Sequence, residues 1–201
     1  MSATAPDELP PVDGRRARAE RNREAVVEAI LDLLREGVED PGVNEIAERS
    51  GVSVRSVFRH FDDLESLHTT AIEVHLRQVG RLFQFQAPDS PTSERVDALV
   101  DHRALLYEDI APIRRVAARL RRTSPQINAT LTDARRFLRS QLEASFEPEL
   151  AKRKGAKQDD LLDAIELVSG WLAWDSLRTE HGLSVARAKR VMSLNLHGLL
   201  G

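Results

Sequence analysis

The sequence predicts an all-α fold, and three observations predict it. Apolar residues recur at spacings of three and four in segment after segment, as on the buried face of a helix. The alternation of β-branched residues that marks strands is missing, while Leu, Ala, Arg and Glu dominate. Proline and glycine punctuate the chain between the periodic segments. With 201 residues, 41% hydrophobic and 30% charged, the chain can bury a substantial core, as one large domain or as a small one and a larger one.

Each element has its own signature. From Glu20 to Arg35, Val26, Ala29, Ile30, Leu33 and Leu34 mark an amphipathic helix, and Gly37 suits the left-handed residue that ends it. EDPG then turns the chain. A short helix is expected over about 43–50, with Ile46 and Ala47 facing inward. Gly51 breaks it, and Ser53 caps a second short helix that carries Val57 and Phe61. Asp62 or Asp63 caps a long helix expected to reach about Phe85. APDSPTS, residues 87–93, is the clearest break. Beyond it helices are expected at about 93–108, 112–122, 125–147, 158–181 and 184–200. Ser124 and Pro125 supply a cap and an N1 proline, Pro148 stops or kinks that helix, AKRKGAKQ loops, and Gly182 with Ser184 separates the last two.

Several function classes are excluded or disfavoured. There is no cysteine, hence no disulfide or thiolate metal site, which suits a reducing cytoplasm. No apolar run approaches the roughly 20 residues that span a bilayer. The opening MSATAPDELPPVDG has neither the basic start nor the apolar stretch of a secretion signal and reads as a disordered lead-in. No Ser-His-Asp order, catalytic carboxylate pair or phosphate-cradling glycine loop occurs, so neither an enzyme nor a cofactor is expected. His68 and His75 lie two helical turns apart with Glu73 nearby, too far for one metal ion without further ligands.

Charge is distributed unevenly. A net charge of −3 argues against indiscriminate coating of nucleic acid, yet GRRARAERNRE, residues 14–24, holds five arginines, and Arg49, Arg55 and Arg59 form a second group. The segment GVSVRSVFRHF, residues 51–61, contains no acid at all. Two short helices joined by a glycine turn, the second with outward cations, make a helix-turn-helix over residues 42–61. Ala47 is small where the second helix crosses, Val52 and Val57 close the little core, and Arg55, Ser56, Arg59 and His60 face away from it. A DNA major groove, about 12 Å wide, admits one such helix. Arg55 is the best candidate for base readout, because a guanidinium pairs bidentately with guanine. His60 is divided between a phosphate contact and a packing role. Phe58 is divided between sugar or thymine methyl and packing, and Val54 between DNA and core.

RNREAVVEAILDLLREG followed by VNEIAERSGVSVRSVFRHFDDLESL resembles the tetracycline repressor-like (TetR/AcrR) family of bacterial transcription regulators over residues 19–67. Beyond that the resemblance is architectural. It implies an N-terminal three-helix DNA-binding domain (19–67) after a basic, disordered arm (1–18), then a helical ligand-binding and dimerisation domain (68–201). It also implies a homodimer on a palindromic operator, released by a small-molecule effector. The residues it points to are Asn44, Ser53, Val54, Arg55, Ser56, Phe58, Arg59 and His60, with Arg15, Arg16 and Arg18 of the arm. The chain departs from the family pattern at Arg55 (glycine), Phe58 (tyrosine), Leu64 (lysine) and Gly42 (threonine). Arg55, Arg59 and the arm arginines are the cations available to replace those missing.

Two further features concern the second domain. Arg103 sits within the apolar stripe Val96, Leu99, Val100, Leu106, Tyr107 and Ile110. A charge there needs a partner, either one of the domain's own acids or an anionic effector. A mostly apolar effector cavity is expected with Phe83, Arg103, Tyr107 and Trp171 at its wall. LLDAIELVSGWLAWDSL has two apolar faces, Leu161, Ile165, Val168 and Leu172 on one and Leu167, Trp171 and Trp174 on the other. One serves the core, and the other serves a second copy or the same chain. Leu167, Trp174, Val185, Met192 and Leu199 are the interface candidates. The reading is a cytoplasmic DNA-binding regulator, most simply a repressor; the alternative is a helical interaction protein of the same fold without sequence-specific DNA binding.

Overall fold

The computed structural model describes residues 14–201, the side chain of Arg15 excepted; the lead-in over 1–13 lies outside the described residues. Ten α-helices and one 3-10 turn are formed by the described residues, without a strand among them. They divide after Ala71 into two compact units, four residues beyond the expected boundary at residue 67.

The first unit is built from α1 (Gly14–Arg35), α2 (Val43–Ser50), α3 (Val54–His60) and the start of α4 (Leu64–Gln78). Val26, Ile30, Ile46, Val57, Phe61 and Leu67 are buried, and α1 packs against both α2 and α3. The segment expected as an arm is helical from Gly14 onward, since Arg, Ala and Glu are strong helix formers. Arg16 and Arg18 therefore ride exposed on the first turns of α1.

The second unit contains the 3-10 turn Gly80–Phe83, α5 (Thr92–Leu120), α6 (Pro125–Ser145), α7 (Glu147–Leu150), α8 (Ala156–Ser169), α9 (Trp171–Thr179) and α10 (Val185–Leu200). α10 packs on α5, α8 and α9, while α6 lies against α5 and α8. Three boundaries differ from expectation. α4 ends at Gln78 because Gly80 admits a tighter turn, and Val79, Leu82 and Phe83 then pack on the core in a new phase. The helices expected at 93–108 and 112–122 are one, α5, with Pro112 inside it. An interior proline costs about 3 kcal/mol, but Tyr107 and Ile110 before it and Ile113 and Val116 after it are all buried, each contributing about 1.5–3 kcal/mol. The helix expected over 158–181 breaks at Gly170, where a Cβ would lie 2.8 Å from the Glu166 carbonyl oxygen.

One buried clamp ties α7 to the start of α5. Glu149 accepts from the Thr92 hydroxyl and from Arg95 Nη2, each at 2.6 Å, and Arg95 also donates to the Ser145 carbonyl. Burial pushes the Glu149 carboxyl up, but the bonds from Thr92 and Arg95 outweigh it and hold the carboxyl below its usual range. A depressed folded value means that this stabilisation is present above the unfolded value, about 4.3, and is lost as pH falls through the folded one. Glu149→Gln is expected to melt lower than the wild type at pH 7, with the gap narrowing below about pH 4. Melting curves across pH check this, and a gap independent of pH would contradict it.

Among the described residues, no helix is long and apolar enough to cross a membrane.

Candidate functional site

The helix-turn-helix is fixed by backbone bonds at both of its joints. Glu45 reaches back to accept from the Gly42 N–H at 2.8 Å, half of a capping box that compensates for the weak glycine cap of α2. Gly51 closes α2 in the left-handed conformation at φ 67°, which only glycine adopts freely. The Val52 N–H then donates to the Ala47 carbonyl at 3.2 Å, and Val52 turns inward. Ser53 Oγ accepts from the Ser56 N–H at 3.4 Å and starts α3. Its hydroxyl donates to Ser56 Oγ at 3.1 Å, so both serines are engaged in local bonds.

The phase of α3 follows from that start. Val57 is buried and Val54 half-buried, while Arg55, Phe58 and Arg59 are exposed. At spacings of three and four these three share one face of the helix. Phe58 is 47% exposed, which assigns it to the surface rather than to packing. Neither Arg55 nor Arg59 is ion-paired among the described residues. Arg49 is: it forms a two-pronged pair with Glu36 at 2.7 and 2.8 Å, joining α2 to the segment after α1, and so leaves the group of free cations. Arg23 is likewise occupied over the Phe61 ring, 5.3 Å from its centroid. His60 is half-buried with Nε2 covered and unbonded, which favours the packing role. Asn44 is exposed on the first turn of α2. The signal the sequence carried for Arg49 was Glu36, thirteen residues earlier, a partner that only the fold brings near.

In the second unit, the four candidate effector residues belong to one neighbourhood. Arg103 is 1% exposed, and Nη2 donates to the Leu138 carbonyl at 3.0 Å. The acid expected as one possible partner is absent: no carboxylate among the described residues pairs with it, and Nη1 has no hydrogen-bond partner. Burial lowers its pKa. The Tyr107 hydroxyl donates to the Ser169 carbonyl at 3.1 Å, and the Trp171 ring meets Tyr107 edge-on at 5.8 Å. The Phe83 carbonyl accepts from Gln141 Nε2 at 2.6 Å, three residues along α6 from the carbonyl that receives Arg103. Sequence reasoning missed Gln141 and Arg114, whose guanidinium lies over Trp171 at 5.7 Å.

The interface candidates separate into two groups. Trp174, 1% exposed, and Met192, fully buried, belong to the protomer core, which corrects their assignment to a partner-facing surface. The break at Gly170 is the reason. It resets the helix phase so that Trp171 and Trp174 turn inward, and the Trp174 N–H donates to Glu108 Oε1 at 2.9 Å. Leu167 is 70% exposed, while Val185 and Leu199 are half-buried. Leu172 and Leu194, at 72% and 75%, are exposed leucines of the same region that the sequence pattern did not assign to the interface.

No protein-family model and no curated protein sequence matches the chain. Solved structures do. A transcriptional regulator from Rhodococcus sp. Rha1 aligns at a TM-score of 0.64 and 16% identity over 90% of this chain and 95% of that one. A TetR-family transcriptional regulator from Mesorhizobium loti MAFF303099 aligns at 0.56 and 16% identity over 92% and 96%. SmeT, solved in complex with triclosan, aligns at 0.54 and 16% identity over 88% and 90%. With its helix-turn-helix unit and its larger helical unit, the chain has the fold of the TetR-family transcriptional regulators.

Proposed function

We propose that the chain is a homodimeric, cytoplasmic DNA-binding regulator, acting as a repressor, whose α3 enters the major groove of a palindromic operator. The observation that carries this reading is the exposed face of α3, where Arg55 and Arg59 have no carboxylate partner among the described residues and Phe58 stands on the surface. Arg55, at the start of the helix, is the base-reading residue; Arg59, Asn44, Ser53 and Ser56 border it, Val54 backs it, and His60 supports the helix from within. Arg16 and Arg18 on the first turns of α1, with Arg15 beside them, take phosphates. A two-fold dimer presents its two α3 helices to half-sites about 34–36 Å apart, or a multiple of that. The second unit binds a small molecule near Phe83, Arg103, Tyr107 and Trp171. Its differential affinity for one of two states changes the separation of the α3 helices and releases DNA.

The dimer surface in this reading is the outer side of α8, α9 and α10, through Leu167, Leu172 and Leu194, with Val185 and Leu199 at its margin. Among the described residues, three of the six exposed large hydrophobics lie on these helices, the others being Phe58, Leu105 and Phe137. Exposed apolar groups concentrated on one part of a protein mark a contact surface.

The test contrasts two kinds of arginine. Arg55→Ala is expected to cost roughly 1–3 kcal/mol on the operator and to relax preference at one base pair per half-site. Replacing Arg16 and Arg18 by alanine is expected to weaken all sequences alike and to reduce the salt slope by about one for each phosphate no longer neutralised. Binding to operator and scrambled duplexes at several salt concentrations measures both. Equal losses of affinity on the two duplexes for Arg55→Ala would make Arg55 a phosphate-binding residue.

A further inference from the structure

Arg103, Tyr107 and Arg114 lie on one face of α5, at spacings of four and seven, and the two cations share a deficit. Arg103 is 1% exposed, and its Nη1 meets no acceptor. Arg114 is stacked over Trp171, its Nη1 also lacks a partner, and burial lowers its pKa to about 10. The least exposed carboxylates of the unit are committed elsewhere: Glu149 to Arg95, Glu166 to Arg135 and Arg139, Asp175 to Arg115, and Glu108 to Arg178. None is left to neutralise Arg103. On α6, Gln141 is anchored through Nε2 to the Phe83 carbonyl, which fixes its amide orientation and leaves Oε1 buried without a donor. An unmet cationic donor and an unmet acceptor thus border the same apolar surroundings, where Leu82, Phe83, Phe85 and Leu138 are only partly buried.

A buried guanidinium without a counter-charge is among the least favourable arrangements a core can hold, and a protein that keeps one either suffers for it or completes it with a ligand. A neutral ligand would leave the charge uncompensated. A small inorganic anion would not cover the partly buried Leu82, Phe83, Phe85 and Leu138. We propose that the second unit binds an apolar-bodied organic carboxylate, one of whose oxygens accepts from Arg103 Nη1 while the body packs against the Phe83, Tyr107 and Trp171 side of the core. This names the chemical class of the effector and rests on the reading of the second unit as the ligand-binding one.

The experiment uses the full chain without DNA, so its failure and the failure of the DNA-binding reading are separable. Octanoate and phenylacetate are compared with octanamide, phenylacetamide and inorganic phosphate by calorimetric titration and thermal denaturation. The two carboxylates are expected to bind and to raise Tm with concentration, and the amides and phosphate to do neither at the same concentrations. Arg103→Met is expected to raise the carboxylate Kd by about tenfold or more while the free protein melts at the wild-type temperature or above, because an unpaired buried charge has been removed. Amides binding as tightly as carboxylates, no response to either carboxylate, or an unchanged carboxylate Kd in Arg103→Met would overturn the proposal. Should Arg103→Met fail to fold, the contrast between carboxylate and amide on the wild-type protein decides it alone. Carboxylate binding by a protein that binds no DNA would refute the regulator reading and leave this one standing.

Discussion

Trp174→Glu is expected to give no folded protomer. Its side chain is 1% exposed, lies 6.4 Å from the Tyr107 ring, and donates its N–H to Glu108. Truncating a buried tryptophan costs about 3–5 kcal/mol. A carboxylate in its place would be buried without a donor and would face Glu108, adding about 3 kcal/mol or more. Together these approach the whole stability of a domain, about 5–15 kcal/mol. Trp174→Phe keeps most of the burial and leaves Glu108 paired with Arg178 at 2.9 Å, so it should fold with a loss of roughly 1–3 kcal/mol. Circular dichroism melts of both variants check the pair. A Trp174→Glu protein with the wild-type Tm would return this residue to the surface.

Leu167→Glu combined with Leu194→Glu is expected to do the opposite: leave the fold intact and produce monomers. The two side chains are already 70% and 75% exposed in the protomer, so a charge there costs the isolated chain little. Across a two-fold axis each substitution is met twice, and four carboxylates must then be desolvated in one interface. In the proposed function, loss of the dimer removes the second α3 from the operator. Operator affinity should therefore fall by about 10²–10⁴, the advantage that linking two modules confers. Light scattering on the eluted protein and operator titrations measure the two effects. An intact dimer in the double variant would move the interface away from these helices.

What was legible in the sequence depended on whether local chemistry decided the outcome. α2 was legible residue for residue because Gly42, Gly51 and Ser53 fix its ends and the next helix's start by backbone geometry alone. The buried set of the helix-turn-helix followed from spacing for the same reason. Where tertiary packing decided, the sequence misled. Pro112 reads locally as the first residue of a new helix, yet apolar residues on both sides hold α5 through it. Gly170 reads as a tolerated helix glycine, yet the backbone turns there, and the resulting phase shift moves Trp174 from an expected partner surface into the core. Arg49 looked like one cation of a DNA-binding group until the fold set Glu36 against it. Arg103 was legible as a charge in an apolar stripe, but only the fold shows that its protein partner is a carbonyl and not a carboxylate.

The proposed sequence-specific DNA binding through two α3 helices can be tested on the wild-type protein without any substitution. The quantity is its affinity for DNA upstream of its own coding sequence, against a scrambled duplex of equal length, across a salt series. A site with two-fold symmetry should be bound about 10³-fold or more tightly than the scrambled duplex, with an affinity that falls as salt rises on both. Binding of both duplexes alike, or of neither, would contradict this function and leave an all-helical interaction protein on the same fold.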